Sequence, residues 1–147
     1  MTPSEELINR YARVEREADA FGRLIGVRKL KVSQQTKVSE YTPGLEGETE
    51  VVMSDDDGGQ KTVRISRRAQ MLIAAAVCEI DSVSIPFARN RGELDAIADK
   101  LDEEGIVAAM IAYARFQPKA SGGEEALDAI AEAKKSHKTH THGAHSG

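Results

Sequence analysis

The stretch SRRAQMLIAAAVCEIDSVSIPF, residues 66–87, decides the fold, because the other apolar segments of the chain can pack against its apolar run. Ser66 can accept a hydrogen bond from a first-turn amide and so begin a helix. From Ala69 to Cys78 the only polar residue is Gln70, so we expect a buried core helix with no clear solvent face. This run is far shorter than the roughly 20 apolar residues that cross a bilayer, so no membrane span is expected.

The rest of this central segment, ARNRGELDAIADKLDEEGIVAAMIAYARF at residues 88–116, predicts two amphipathic helices. It follows a short predicted strand at residues 83–85, where apolar residues and serine alternate. Asp102 can cap the second helix, and Gly105 in its first turn is more typical of a junction than of one long rod. One face of the first helix carries apolar residues at spacings i, i+3, i+4 and i+7: Leu94, Ile97, Ala98 and Leu101.

The N-terminal segment begins with a helix signature, Thr2-Pro3-Ser4-Glu5, which offers a cap, a proline at the first position and a glutamate at N3. We predict that this helix continues to Gly22, which ends it. Its apolar residues could pack on the chain's own core, or they could bind a partner or a second copy. These residues recur at spacings of four, three, four and three: Leu7, Tyr11, Val14, Ala18 and Phe21.

The predicted fold class is mainly α with a small β component, made of short strands and one hairpin. A single compact helical domain is expected over residues 1–117, with the hairpin near residues 49–66. The loop of this hairpin contains Asp55–Asp57 but lacks the spacing of a calcium loop, so we interpret it as a turn. Residues 118–147 are expected to be a flexible tail, with a short helix at residues 124–135.

Composition argues against several classes of function. The chain of 147 residues has a formal net charge of −4, and no long segment has charges of mainly one sign. A dedicated nucleic-acid surface is therefore not expected. The single cysteine excludes an intrachain disulfide, and the acidic N-terminus lacks the pattern of a signal peptide. These features predict a soluble cytoplasmic protein.

No catalytic or cofactor-binding pattern is present. Cys78 lies in an apolar run and is most simply a core residue. The histidines cannot serve a site in the folded body, because all of them lie in the last eleven residues. We interpret that segment as a solvated tail, although imidazoles this close could grip zinc. The prediction is a non-enzymatic protein with no catalytic residues, no cofactor and no metal site. The histidines are His137, His140, His142 and His145.

Three pieces of the sequence resemble the tail assembly chaperones of long-tailed bacteriophages and prophages. DAFGRLIGVRKL, residues 19–30, resembles their D-x-x-G-R-x-I-x-V-R-[RK]-L opening. Residues 74–87 are similar to their I-D-G-x-x-[VI]-P-F-P segment, and residues 95–105 resemble D-x-[LI]-x-x-x-L-x-[DE]-E-G. Ser82 stands where the family usually has glycine, and Ala88 stands where it has a second proline. The hairpin and the histidine-bearing tail are not part of the resemblance.

This resemblance implies a non-enzymatic morphogenesis factor. Such chaperones bind the long tape-measure protein, keep it soluble and recruit tail-tube subunits before leaving the finished tail. The chain would therefore act in the host cytoplasm and be absent from the mature virion. A small structural component of the tail or virion is the alternative. A DNA-binding regulator is a less favoured one, and it would use Arg64, Arg67 and Arg68.

Helical spacing places the partner contact on one of two surfaces. The first is the N-terminal seam of Leu7, Tyr11 and Val14. The second is the stripe of Ile106, Met110 and Tyr113 on the last predicted helix. Either surface could cover an apolar stripe of a helical partner by helix-in-groove packing, and either could serve self-association.

Overall fold

Four helices and six strands form the part of the chain that the computed structural model describes, residues 2–54 and 58–117. The chain divides into two units, residues 1–113 and 114–147. In chain order the elements are α1 (Pro3–Ala12), β1 (Val14–Ala18), β2 (Leu24–Arg28), α2 (Val32–Tyr41), β3 (Glu48–Ser54), β4 (Gln60–Ser66), α3 (Arg67–Ala76), β5 (Val77–Ile80), β6 (Val83–Ser84) and α4 (Arg91–Ala114).

The mainly α class predicted from the sequence is wrong. The described residues are 48% helical and 26% strand, and their strands form two antiparallel sheets, so the fold is α/β. Two segments account for the difference. The second half of the predicted N-terminal helix is strand β1, and the end of the central apolar run is strand β5.

The larger sheet has the strand order β1-β2-β5-β6, with every neighbouring pair antiparallel. Ile25, Gly26 and Val27 of β2 are all buried, so both faces of this strand are covered. Strands buried on both faces lack the alternation of half-exposed ones. The smaller sheet is the predicted hairpin, β3 and β4, paired from Glu48 opposite Ser66 to Ser54 opposite Gln60.

The N-terminal helix is shorter than its apolar spacing predicted. Its capping box is confirmed, since the amide of Glu5 donates to the Thr2 hydroxyl at 3.2 Å. The helix ends at Ala12, and β1 then pairs with β2 from Val14 opposite Arg28 onward. Phe21 lies in the loop that joins these strands. The ladder of backbone hydrogen bonds to β2 is a tertiary effect that overrides helical spacing.

The central helix follows the prediction closely. The amide of Ala69 donates to the Ser66 hydroxyl at 3.0 Å, which confirms the cap. Met71 and the three alanines that end α3 are buried. The chain then passes into β5 at Val77 without a loop, so the final residues of the apolar run pair with β2 instead of continuing the helix.

The smaller predicted elements are also present where the structure describes them. The strand expected at residues 83–85 is β6, which ends one residue earlier, at Ser84. The predicted tail at residues 118–147, its possible helix at residues 124–135 and its four histidines lie outside the described residues. The same holds for the turn at Asp55–Asp57.

α4 is bent, as the two-helix prediction required. Asp102 has a φ of 57° and a ψ of −174°, which no helical residue adopts. Its carboxylate accepts from the amide of Glu103 at 2.9 Å, which restarts the helix. At the start of α4 the Asn90 side chain accepts from the amide of Glu93 at 2.9 Å and so caps the helix.

Two hydrogen bonds connect α4 to residues at the two ends of β2. Before β2, the guanidinium of Arg23 reaches the α4 backbone at Leu101. Beyond β2, the Leu30 amide donates to the Tyr113 hydroxyl at 3.2 Å. Ile106, which lies between these two contacts on α4, is 1% exposed.

Gly105 is required by a close approach at the bend. A Cβ atom at this position would lie 2.9 Å from the Cβ of Leu101 and 3.3 Å from a terminal nitrogen of Arg23. Leu101 is fully buried and has no room to move. The glycine, although a poor helix former, therefore permits Leu101 and Arg23 to pack closely at the bend.

We predict that Gly105→Ala destabilises the protein by about 1–3 kcal/mol, the usual cost of overpacking a core. Helix propensity alone would give the opposite sign, a gain of about 1 kcal/mol. Gly92→Ala is the matched control, because its added Cβ would lie at an ordinary contact distance, 3.4 Å, from the Asn90 side-chain oxygen. Urea unfolding monitored by circular dichroism measures both. Equal or greater stability of Gly105→Ala would contradict the packing argument.

Candidate functional site

The three sequence pieces that resemble the chaperone family meet at one end of the larger sheet. The first piece folds into the β1–β2 turn around the carboxylate of Asp19. One carboxylate oxygen accepts from the amides of Phe21 and Arg23, at 2.9 and 2.8 Å. The turn is tight because Gly22 has a φ of +85°, which glycine adopts without strain.

Asp19 also forms an ion pair with Arg23. The Nε of Arg23 donates to the other oxygen of the Asp19 carboxylate at 2.6 Å, and the Asp19 side chain is fully buried. Burial raises the pKa of this carboxyl, but the hydrogen bonds and positive charge of Arg23, with the Phe21 amide, outweigh it and hold the pKa below its usual value. Asp19 is therefore ionised at neutral pH.

The same guanidinium joins the first piece to the third. The terminal nitrogens of Arg23 donate to the carbonyl oxygens of Lys100 and Leu101, both at 2.7 Å. These carbonyls belong to the last turn before the bend of α4, where a helix lacks its own donors. A guanidinium presents several donors in a fixed fork, so one side chain can serve the carboxylate and both carbonyls.

The second piece contributes Asp81 in the turn between β5 and β6. Its carboxylate accepts from the amide of Leu24 at 2.8 Å, and its own amide donates to the carbonyl of Leu24 at 2.8 Å. Asp81 and Ser82 both have positive φ, at 51° and 67°, as a two-residue hairpin turn of type I′ requires. The resemblance places glycine at Ser82, and the left-handed backbone there gives the physical reason.

This cluster of motif residues has a structural role. Its buried carboxylate is paired, and its donors are directed at backbone carbonyls of the same chain. Among the described residues, no group of histidine, cysteine or acidic side chains could hold a metal ion. The hydrogen bonds of the motif residues therefore join the sheet to the bend of α4. A partner surface is expected on another part of the molecule.

The predicted contact residues do not form two continuous stripes. Leu7 and Tyr11 lie on α1, where Leu7 is 50% exposed, whereas Val14 lies on strand β1. On α4, Ile106 is buried, and the Tyr113 hydroxyl accepts from Leu30. Met110 is partly buried. The α4 stripe therefore contributes mainly to the packing of the chain itself.

An open groove of about 620 Å³ lies between α1 and the start of α2. We call it the α1 groove. Three aliphatic side chains in it are strongly exposed: Leu7 at 50%, Ile8 at 67% and Val32 at 73%. Sequence reasoning missed Ile8 and Val32. The neighbouring position of Ile8 on a capped helix was the available signal, whereas nothing local marked Val32. The α1 groove is lined by Leu7, Ile8, Tyr11, Ala12, Lys31, Val32 and Ser33.

A second cavity of about 310 Å³ shares Tyr11 and Lys31 with this groove and also contains Arg28, Lys29 and Cys78. Burial raises the pKa of the Cys78 thiol, so it is protonated at neutral pH and is not an activated nucleophile. The ammonium of Lys29 lies 5.9 Å from the centre of the Tyr113 ring. The lining of the cavity contains three cationic side chains and one carboxylate, that of Glu79, which forms an ion pair with Arg16.

Comparison of the chain with family models, with curated proteins and with solved structures gave no match. Within the described residues, no helix combines the length and the apolar character needed to span a membrane.

We predict that Arg23→Lys destabilises the protein by roughly 2–3 kcal/mol, because the donors of an ammonium share one nitrogen and cannot reach the three acceptors that the separate nitrogens of Arg23 reach. Arg28→Lys is the matched control, since Arg28 is exposed at the other end of the same strand. Thermal and urea unfolding would measure both variants. Equal stability of the two would show that the fork of Arg23 contributes little.

A pH series tests the ion pair separately. A carboxyl whose pKa is lowered by folding stabilises the protein above its ordinary value of 3.8, and this contribution is lost as pH falls through the folded pKa. We therefore expect the stability difference between wild type and Asp19→Asn to be largest near neutral pH and to shrink below about pH 4. A stability difference that stays constant from pH 7 to pH 3 would contradict the lowered pKa of Asp19 in the folded protein.

Proposed function

We propose that this chain is a tail assembly chaperone of a long-tailed phage. In this function it binds the tape-measure protein in the host cytoplasm, keeps it soluble and recruits tail-tube subunits. The observation that carries the proposal is the α1 groove, an aliphatic surface on a helix with no buried residue. Isolated exposed aliphatic residues are ordinary, but a cluster in a groove is typical of an interaction site.

The motif cluster supports the same proposal. The three pieces of the resemblance lie far apart in the sequence, yet Asp19, Arg23 and Asp81 hold them together in one small region. A chance resemblance in three unrelated segments would not require contacts among them. The departure at Ser82 also occurs where the backbone favours the family's glycine.

The proposed mechanism is physical covering without a reaction. A tape-measure protein is a long helical chain whose apolar stripes are exposed until the tail tube encloses them. The α1 groove offers Leu7, Ile8 and Val32 to such a stripe, as in other helix-in-groove complexes. One contact of this size is weak, but many copies along one long chain would gain from multivalency.

Co-expression with the tape-measure protein tests the proposal. Leu7→Asp or Ile8→Asp should reduce the amount of tape-measure protein in the soluble fraction about tenfold, because each removes an aliphatic contact and buries a charge. Val83→Asp is the matched control, since Val83 is 68% exposed on β6 and lies outside the α1 groove. All three variants should keep the wild-type circular dichroism spectrum.

Two outcomes would contradict the proposal. If wild type and Leu7→Asp keep equal amounts of the tape-measure protein soluble, the α1 groove is not the contact. If purified mature particles contain the chain in stoichiometric amounts, the structural tail or virion component becomes the better interpretation, because a chaperone leaves the finished tail.

A further inference from the structure

α1 is a ten-residue helix, and none of its residues is buried. A helix of this length is marginal in water, since most helical stability in proteins comes from packing one face. Its capping box contributes at the N-terminus, but the side chains of Leu7 and Ile8 remain in contact with water. An occupant of the α1 groove would therefore stabilise the helix as well as bury its aliphatic side chains.

The two ends of the α1 groove differ in charge. The N-terminal end of α1 carries Glu5 and Glu6. The C-terminal end, at Tyr11, adjoins the second cavity, in which Arg28, Lys29 and Lys31 are found. Lys31 lines both cavities, and no ion pair involving any of these three cations is found among the described residues. An occupant with aliphatic residues next to carboxylates would match both the aliphatic lining of the α1 groove and its cationic end.

The chain itself contains such a segment. In α1 the pair Glu5-Glu6 directly precedes Leu7-Ile8. We propose that α1 of a second copy occupies the α1 groove, antiparallel to the first, in a two-fold symmetric dimer. In this arrangement the acidic end of each helix lies at the cationic end of the other groove. A two-fold contact uses the same patch on both copies, and a patch with one acidic and one basic end is complementary to itself.

This dimer is expected to be weak. A stable interface buries about 800 Å² on each partner, which is more than the few exposed aliphatic side chains of the α1 groove can supply. Weak pairing leaves the groove accessible to a better occupant. The next step rests on the proposed function: a tape-measure helix would displace the second copy. The dimer would then cover the apolar surface only until that partner is made.

Sedimentation velocity on the purified full chain, without any partner, tests the dimer. The sedimentation coefficient should rise from the monomer to the dimer value between about 1 and about 500 μM. Leu7→Asp should leave a monomer throughout this range. Because no tape-measure protein is present, a monomeric wild type would overturn the dimer and leave the solubilisation experiment unaffected.

Charge reversal tests the antiparallel orientation. Lys31→Glu and Glu5→Lys should each weaken dimerisation about tenfold, because every pair occurs twice in a two-fold dimer. The double variant should return to within about threefold of wild type. Glu5→Gln separates charge from capping, since glutamine also serves at N3 of a capping box. Glu46→Lys, exposed and away from the groove, is the control. A double variant no tighter than the single ones would overturn the orientation.

Discussion

The fork of hydrogen bonds from Arg23 is the interaction on which the rest of the structure depends. It connects the buried carboxylate of Asp19 to the carbonyls of Lys100 and Leu101. A helix interrupted inside a protein leaves backbone carbonyls without donors, and an unpaired buried carbonyl costs free energy. The bend of α4 is therefore stable only where a donor is supplied, and the β1–β2 turn supplies it.

The hydrogen bonds of Arg23 depend in turn on Gly105 and Asp19. The guanidinium can approach the bend because residue 105 has no side chain, and it keeps its direction because the Asp19 carboxylate holds its Nε. Replacing Arg23 leaves the buried Asp19 carboxylate unpaired, which is more costly than losing one contact. The motif residues are thus joined in one connected set of hydrogen bonds.

Local sequence patterns predicted the starts of the helices well, whereas contacts between distant segments could not be predicted from such patterns. The cap at Ser66 and the break at Asp102 involve atoms within three residues of each other, so a short pattern encodes them. Val14 has helical spacing but lies in a strand, because its partner strand decides its conformation. The bond from Arg23 to Leu101 joins residues 78 positions apart and leaves no periodic trace. Leu7 could be predicted as a contact residue from its spacing on α1. Val32 could not, because it joins the α1 groove only through the placement of α2 beside α1.

The separation of the motif cluster from the α1 groove bears on function. Strands β1 and β2, the turn at Asp81 and the bend of α4 are joined by hydrogen bonds between side chains and the backbone, whereas α1 precedes them and contributes no buried residue. A surface that is not needed for folding can change its occupant at little cost to the fold. An assembly factor needs this property, because it must bind an apolar chain and later release it. The exposure of Leu7 and Ile8 therefore fits transient binding better than a permanent place in a finished particle.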